Sequence, residues 1–236
     1  MNRAKEKIFN KSIKNSIIKS IDSCFINGER LFEEANSLFE FENSPTAFAL
    51  SILAQEEFAK AFILYLVKEE IIPWNAEIRR SLNDHSCKQL LGLIMDYFSS
   101  SSGDVNDWRM ELENRIKEPY FPQHVADAMN IYRYEKIKRW KSNNWVWAYE
   151  SNYNKTANKI AEGKFDKKKQ DSFYVRIGKN GQIVNTPLKI KKEDIEESLE
   201  KTKNFLCIIS QLRKNDTNGL IKFGEFKELM KILFSQ

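Results

Sequence analysis

Residues 31–70, LFEEANSLFEFENSPTAFALSILAQEEFAKAFILYLVKEE, decide the fold. At their centre Glu42-Asn43-Ser44-Pro45 stops one helix and starts the next. Ser44 offers a capping oxygen, and Pro45 fits the first helical position, where its missing N–H costs nothing. Upstream, Ile13, Ile17, Ile21, Cys24, Phe25, Gly28, Leu31, Phe32, Ala35, Leu38 and Phe39 recur at spacings of three and four. That single apolar stripe predicts a helix over 12–41. Downstream, Ala47, Leu50, Leu53, Ala54, Phe58, Ala61, Leu64 and Tyr65 predict a second helix over 45–70, ending before Pro73. So short a joint folds the two helices into an antiparallel hairpin.

Working outward, Ser81-Leu82-Asn83-Asp84 has the spacing of a capping box. It predicts a third helix from Ser81, carried by Cys87, Leu90, Leu91, Ile94, Tyr97 and Phe98 to the 99–103 linker. Helices are then expected over 104–117 and 124–141, separated by Pro119–Pro122. Residues 173–177 and 182–186 flank Asn180-Gly181, the signature of a short β-hairpin. Ile195, Leu199, Thr202, Phe205, Leu206, Ile209 and Leu212 mark a last long helix, followed by a shorter one from about Lys222. Eight Gly and five Pro in 236 residues leave little punctuation for a many-stranded fold. The fold class is all-α, with one small β-hairpin.

Hydrophobic residues at 42% and charged residues at 30% are ordinary for a globular chain and exclude wholesale disorder. No apolar run nears the roughly 18–20 residues that cross a bilayer, and the polar start lacks a secretory signal. Three widely spaced cysteines, Cys24, Cys87 and Cys207, read as reduced and mostly buried, which suits the cytoplasm. Charge is uneven. Between Arg133 and Lys192 stand sixteen Lys or Arg against five Asp or Glu, while the whole chain is only +5. That asymmetry points to an anionic partner, nucleic acid first.

Two constellations could carry chemistry. On the second helix, Glu56 and Glu57 lie four and three residues before Lys60, spacings at which helical side chains meet. Glu56 reads as an ordinary ion pair or as a functional group. Glu57 falls inside the apolar stripe, where an ionised carboxylate needs a partner. The second constellation is Arg79-Arg80-Ser81-Leu82-Asn83-Asp84-His85, with Lys88 beyond. With the helix starting at Ser81, His85 sits in its first turn, where the N-terminal partial charge favours neutral imidazole, the form of a general base. The same N–H groups and the two arginines suit a phosphate.

A long first helix, a second carrying Ala54-x-Glu56-Glu57-x-x-Lys60-Ala61, and a third opening near His85-x-x-Lys88 resemble the AbiV family of abortive-infection proteins, within the HEPN superfamily. The likeness covers about the first 100 residues, and the hairpin with the helix after it is similar to the end of the family pattern. It implies a HEPN-like antiparallel helical bundle with additional C-terminal helices. Residues 1–102 would form the core bearing the site, 103–171 a helical, basic and aromatic insertion, and 172–236 a hairpin and helices packing on the core.

The resemblance also implies a phage-defence effector, with metal-independent endoribonuclease activity as the expectation. Its motif, an Arg followed after four to six residues by a His, maps onto Arg80 and His85, and with five intervening residues onto Arg79. Position 81 is Ser where many active motifs carry Asn or another polar residue, a mild departure. In that reading His85 takes a 2′-hydroxyl proton, Arg80 stabilises the phosphorane-like charge, and Ser81, Asn83 and Asp84 orient the pair. Glu56, Glu57, Lys60 and Lys88 support it, with no metal and no cofactor. Two copies would meet as a homodimer, and a phage-encoded activator or inhibitor protein is a candidate partner.

A third constellation offers RNA contacts: Lys138, Arg139, Trp145, Trp147 and Lys167-Lys168-Lys169. Aromatic faces amid phosphate-neutralising charge suit single strands, and an amphipathic helix with solvated lysines explains the same pattern. Asp216-Thr217-Asn218-Gly219 through Glu225 matches the later part of a calcium loop. Lys214 stands where the first carboxylate is required, so a helix C-cap at Asn218-Gly219 is the expectation. Two other functions stay open: a non-catalytic module binding RNA or a phage protein, and the toxin of a toxin–antitoxin pair.

Overall fold

A computed structural model of the chain describes residues 2–42, 44–98, 121–138, 152–187 and 190–235. Helices α1 (Asn2–Glu42) and α2 (Pro45–Lys68) form the expected hairpin. The Ser44 side chain accepts from the Thr46 N–H at 3.3 Å, and Pro45 opens α2. The helices pack tightly at Gly28, where an added Cβ would lie 2.6 Å from the Phe58 ring. Beyond Lys68, Glu70 takes a left-handed φ of 58° and the Ile71 N–H returns to the Leu66 carbonyl at 2.9 Å. These bonds satisfy carbonyls left open at the helix end.

Helix α3 (Ala76–Ser81) is short, and α4 (His85–Phe98) follows it. The expected start of the third helix at Ser81 is therefore corrected: Ser81 ends α3. Its hydroxyl donates to the Ile78 carbonyl at 2.8 Å and lies 3.0 Å from the Tyr132 hydroxyl. The cap of α4 is Asp84, whose Oδ1 accepts from the Cys87 N–H at 2.7 Å. Helix α5 (Gln123–Asn130) continues as a π-helical stretch, Ile131–Ile137. The helix expected over 104–117 lies outside the described residues, as does the end of the one expected over 124–141.

Helices α6 (Lys155–Ala161) and α7 (Lys164–Asp171) were not anticipated. Gly163 joins them with φ +77°, a conformation that favours glycine. Strands β1 (Arg176–Ile177) and β2 (Ile183–Asn185) pair antiparallel across the Asn180-Gly181 turn, with Gly181 also at φ +77°. Helix α8 (Lys192–Arg213) packs on α2, and α9 (Phe223–Ser235) closes the bundle. At the end of α8 the left-handed residue is Asn215, φ 56°, rather than the expected Asn218-Gly219.

The protein is all-α with one small hairpin. Phe62 of α2, Phe98 of α4 and Phe223 and Phe226 of α9 form one aromatic cluster with ring centroids 5.0–6.2 Å apart. Each fully buried Phe contributes roughly 1.5–3 kcal/mol. Val125, Ala128, Met129, Ile131 and Tyr132 join the same core, so part of 103–171 packs directly against α4. Among the described residues no helix is long and apolar enough to cross a membrane. The three cysteines are free; Cys87 is buried, Cys24 half-buried, and Cys207 exposed, contrary to the expectation of burial.

Candidate functional site

Three helices aim charged side chains at one point. Helix α2 supplies Glu56, α4 supplies His85, Lys88 and Gln89, and α7 supplies Asp166 and Lys169. Asp84 fixes where α4 begins, which makes His85 its first residue. The buried Tyr132 holds the end of α3 through Ser81, so the turn between α3 and α4 is pinned from behind.

Glu56 is the hub and is only 4% exposed. Its Oε2 lies 2.7 Å from His85 Nδ1 and 2.8 Å from Lys88 Nζ. Its Oε1 accepts from Lys169 Nζ at 2.9 Å and from Gln89 Nε2 at 3.3 Å. Lys169 Nζ also reaches Asp166 Oδ1 at 2.7 Å, and that oxygen is 3.8 Å from His85 Nδ1. Burial alone pushes the Glu56 carboxyl up; the Lys88 and Lys169 ammonium groups overcome this and hold it below the ordinary value near 4.5. An ionised carboxylate only accepts hydrogen bonds, so His85 Nδ1 is the donor to Glu56 and the ring presents Nε2 outward. The 3.2 Å approach of Lys169 Nζ to Nδ1 then brings two donors together and is not a hydrogen bond. The His85 side chain remains 47% exposed.

This arrangement has the form of a carboxylate–imidazole dyad. The carboxylate fixes tautomer and orientation while the far nitrogen faces solvent. Ligand atoms of Glu56, His85 and Asp166 lie within 4.8 Å of one another, a spacing a metal ion could use. Lys88 and Lys169 already engage the oxygens of both carboxylates, so an ion would have to displace two buried ammonium groups.

The sequence-predicted residues fall into groups. His85, Glu56 and Lys88 meet. Arg79 and Arg80 are exposed at the end of α3. Arg79 lies over the Trp74 ring at 5.8 Å, and no hydrogen bond joins Arg80 to His85. Asn83 is exposed and Asp84 caps α4. The buried carboxylate is Glu56 and not Glu57, a correction of the stripe reading. Glu57 pairs with Lys60 at 2.6 Å near the surface, away from His85. There, burial first and the Glu57 carboxylate second push the Cys24 thiol up to about 11.

Of the RNA-contact candidates, Lys138 lies over the Tyr134 ring at 5.6 Å, and Lys167 is exposed. Lys168 pairs with Asp194 at 2.9 Å. Lys169 is 6% exposed and buried in the Glu56 cluster, so it is not a solvated RNA contact. Arg139, Trp145 and Trp147 lie outside the described residues. Asp166 and Gln89 carry no sequence signal as site residues, and the sequence offers Lys169 only as an RNA contact. Asp166 and Lys169 do have the three-residue helical spacing of a pair, but only the tertiary fold brings them to Glu56.

A family model described as AbiV, of the HEPN type, matches residues 16–207. No curated protein and no solved structure matches the chain.

Proposed function

The chain belongs to the AbiV family of HEPN abortive-infection proteins, and from that premise we propose a phage-defence effector that cuts RNA with His85 as general base. The observation that carries this reading is the 2.7 Å bond from His85 Nδ1 to the buried Glu56 carboxylate. It commits the ring to one tautomer and leaves Nε2 as the basic nitrogen.

The proposed step is an internal transfer. Nε2 of His85 takes the proton of a ribose 2′-hydroxyl, whose oxygen attacks the adjacent phosphorus. The bond from phosphorus to the 5′-oxygen breaks, and that oxygen takes a proton from water. The product ends are a 2′,3′-cyclic phosphate and a 5′-hydroxyl. Arg80, one short turn before α4, supplies a guanidinium for the developing phosphorane charge. Lys88 and Lys169 keep Glu56 ionised and so maintain the positioning bond. No step uses a metal, and cleavage in EDTA tests that point. The working unit is a homodimer with two such centres, which sedimentation equilibrium checks.

Purified protein, alone or with an extract of phage-infected cells, is expected to cleave RNA in EDTA, and His85→Ala to abolish cleavage. A second reading, a module that only binds RNA or a phage protein, draws on the exposed Lys167 and partly exposed Lys168 of α7. It expects charge reversal at those lysines to cost more protection than His85→Ala.

A further inference from the structure

The β-hairpin carries its apolar side chains in solvent. Tyr174, Val175 and Ile177 on the β1 side and Ile183 on β2 are each more than half exposed. Among the described residues the sheet has two strands, so the outer edge of β1 meets no third strand. The edge is short, and a register shift between Arg176 and Ile177 bends it. A two-stranded hairpin is marginal in water, and a third strand or a covering helix is what stabilises such a unit. A contiguous apolar patch on an open edge marks a surface that another chain covers.

The hairpin is held at its base. Arg176 Nη2 pairs with Asp171 Oδ2 at 2.9 Å, and Asn185 Nδ2 donates to the Asp171 carbonyl at 3.0 Å. The Phe173 and Tyr174 N–H groups both return to the Gln170 carbonyl, at 3.1 and 3.0 Å. Both strands are thereby tied to the end of α7, the helix that delivers Asp166 and Lys169 to the Glu56 cluster. Arg176, the one charge in β1, is drawn back into this tie and does not guard the edge as edge-strand charges ordinarily do.

The charge of this stretch is of one sign. From Ser172 to Lys192 there are five Lys or Arg and no Asp or Glu. Of the carboxylates on either side, Asp171 answers Arg176 and Asp194 answers Lys168. Lys179 stands exposed in the hairpin turn, and Lys167 on neighbouring α7. The geometry points to a docking edge for an extended segment of another protein, one that alternates apolar residues with Asp or Glu and adds to β1 as a third strand. Backbone hydrogen bonds along the edge give affinity, and Val175 and Ile177 receive the apolar residues. Lys179 and Lys167 face the carboxylates. A second copy is the poorer occupant, because antiparallel pairing of two β1 edges sets the Lys179 turn of each against the α7 lysines of the other. Single-stranded RNA would use Tyr174, but Val175, Ile177 and Ile183 offer no ring for a base to stack on. The surface goes beyond the ribonuclease reading and does not depend on it.

Fluorescence anisotropy with the full chain tests it using three labelled probes: a ten-residue peptide alternating valine and glutamate, one alternating valine and lysine, and ten-residue oligo(U). The acidic peptide is expected to bind about tenfold tighter than the basic one, the scale of a few cross-strand charge pairs. Methylating the backbone nitrogens along one edge of the acidic peptide should abolish binding, since those N–H groups form the ladder; this arm needs no variant protein. Ile177→Glu with Lys179→Glu, both at exposed positions, should turn the preference toward the basic peptide. Lys14→Glu with Ile18→Glu makes the same change of charge at exposed positions of α1 and should leave the preference as in wild type. Equal affinity for the two peptides, undiminished binding of the methylated peptide, or a preference unmoved by the hairpin variant overturns the assignment. Oligo(U) binding in place of peptide binding, lost in the hairpin variant, gives the edge to RNA and also overturns it. So does a wild-type dimer that the hairpin variant renders monomeric in sedimentation, which gives the edge to a second copy. Acidic-peptide binding by a chain that never cuts RNA would end the ribonuclease reading and leave the docking edge standing.

Discussion

Replacing Glu56 with Gln keeps the shape of the hub and removes its charge. Lys88, its side chain 7% exposed, has Glu56 as its one carboxylate partner among the described residues, at 2.8 Å. Lys169 loses one carboxylate and keeps Asp166. The variant therefore strands one buried ammonium and half-strands another. Breaking such a pair from one side costs about 3–5 kcal/mol, a large share of the roughly 5–15 kcal/mol that holds a domain folded. Urea unfolding followed by helical circular dichroism measures the loss as a lower midpoint at unchanged slope. Glu57→Gln is the control. Its pair with Lys60 is partly exposed, with side chains 18% and 26% accessible, and its loss should cost no more than about 1 kcal/mol. Adding Lys88→Met to Glu56→Gln removes the stranded charge and should restore much of the stability. A Glu56→Gln loss below about 1 kcal/mol, or a double variant weaker than the sum of the singles, would refute the account of Glu56 as a buried hub.

Other outcomes follow from single residues. Because the folded pKa of Glu56 lies below its ordinary value near 4.5, the unfolded chain takes up that proton first. Its contribution is whole above that value and lost as pH falls through the folded pKa. Stability should climb with pH across the acid range, and less steeply in Glu56→Gln, as urea midpoints at a series of pH values will show. Gly28→Ala puts a methyl against the Phe58 ring at 2.6 Å, less than any real contact. It should cost about 1–3 kcal/mol, and a stability equal to wild type would contradict the close α1–α2 approach. Burial pushes the Cys87 thiol well up, and burial with Glu57 pushes Cys24 to about 11, while Cys207 is exposed. A thiol reagent at neutral pH should label one cysteine per native chain quickly and all three after unfolding.

The helical hairpin was legible because Ser44-Pro45 is a local signal and α1 shows one apolar stripe along its length. Helix α2 was harder. It meets α1, α4 and α8 on different sides, and residues 61–67 are all buried. A helix buried nearly all round has no polar face for periodicity to reveal, so the stripe could not say which of Glu56 and Glu57 was inside. At the start of α4, Ser81 and Asp84 were both able to cap. Tyr132, fifty-one residues away, settles the matter by engaging the Ser81 hydroxyl. Lys169 was read with the solvated lysines beside it, because its partner Glu56 is 113 residues distant in sequence. Short helices α6 and α7 carry too few residues to show a period. His85 and the preceding Ala-x-Glu-Glu pattern were readable from the family likeness, whereas the bond between His85 and Glu56 is a product of the tertiary fold.

The most direct test of the central claim measures RNA cleavage and phage protection side by side for wild type and His85→Ala, with metal removed by EDTA in the cleavage arm. The account predicts wild-type cleavage that leaves 2′,3′-cyclic phosphate ends, and loss of both cleavage and protection in His85→Ala while the fold is retained. Full protection by a folded His85→Ala protein would contradict it.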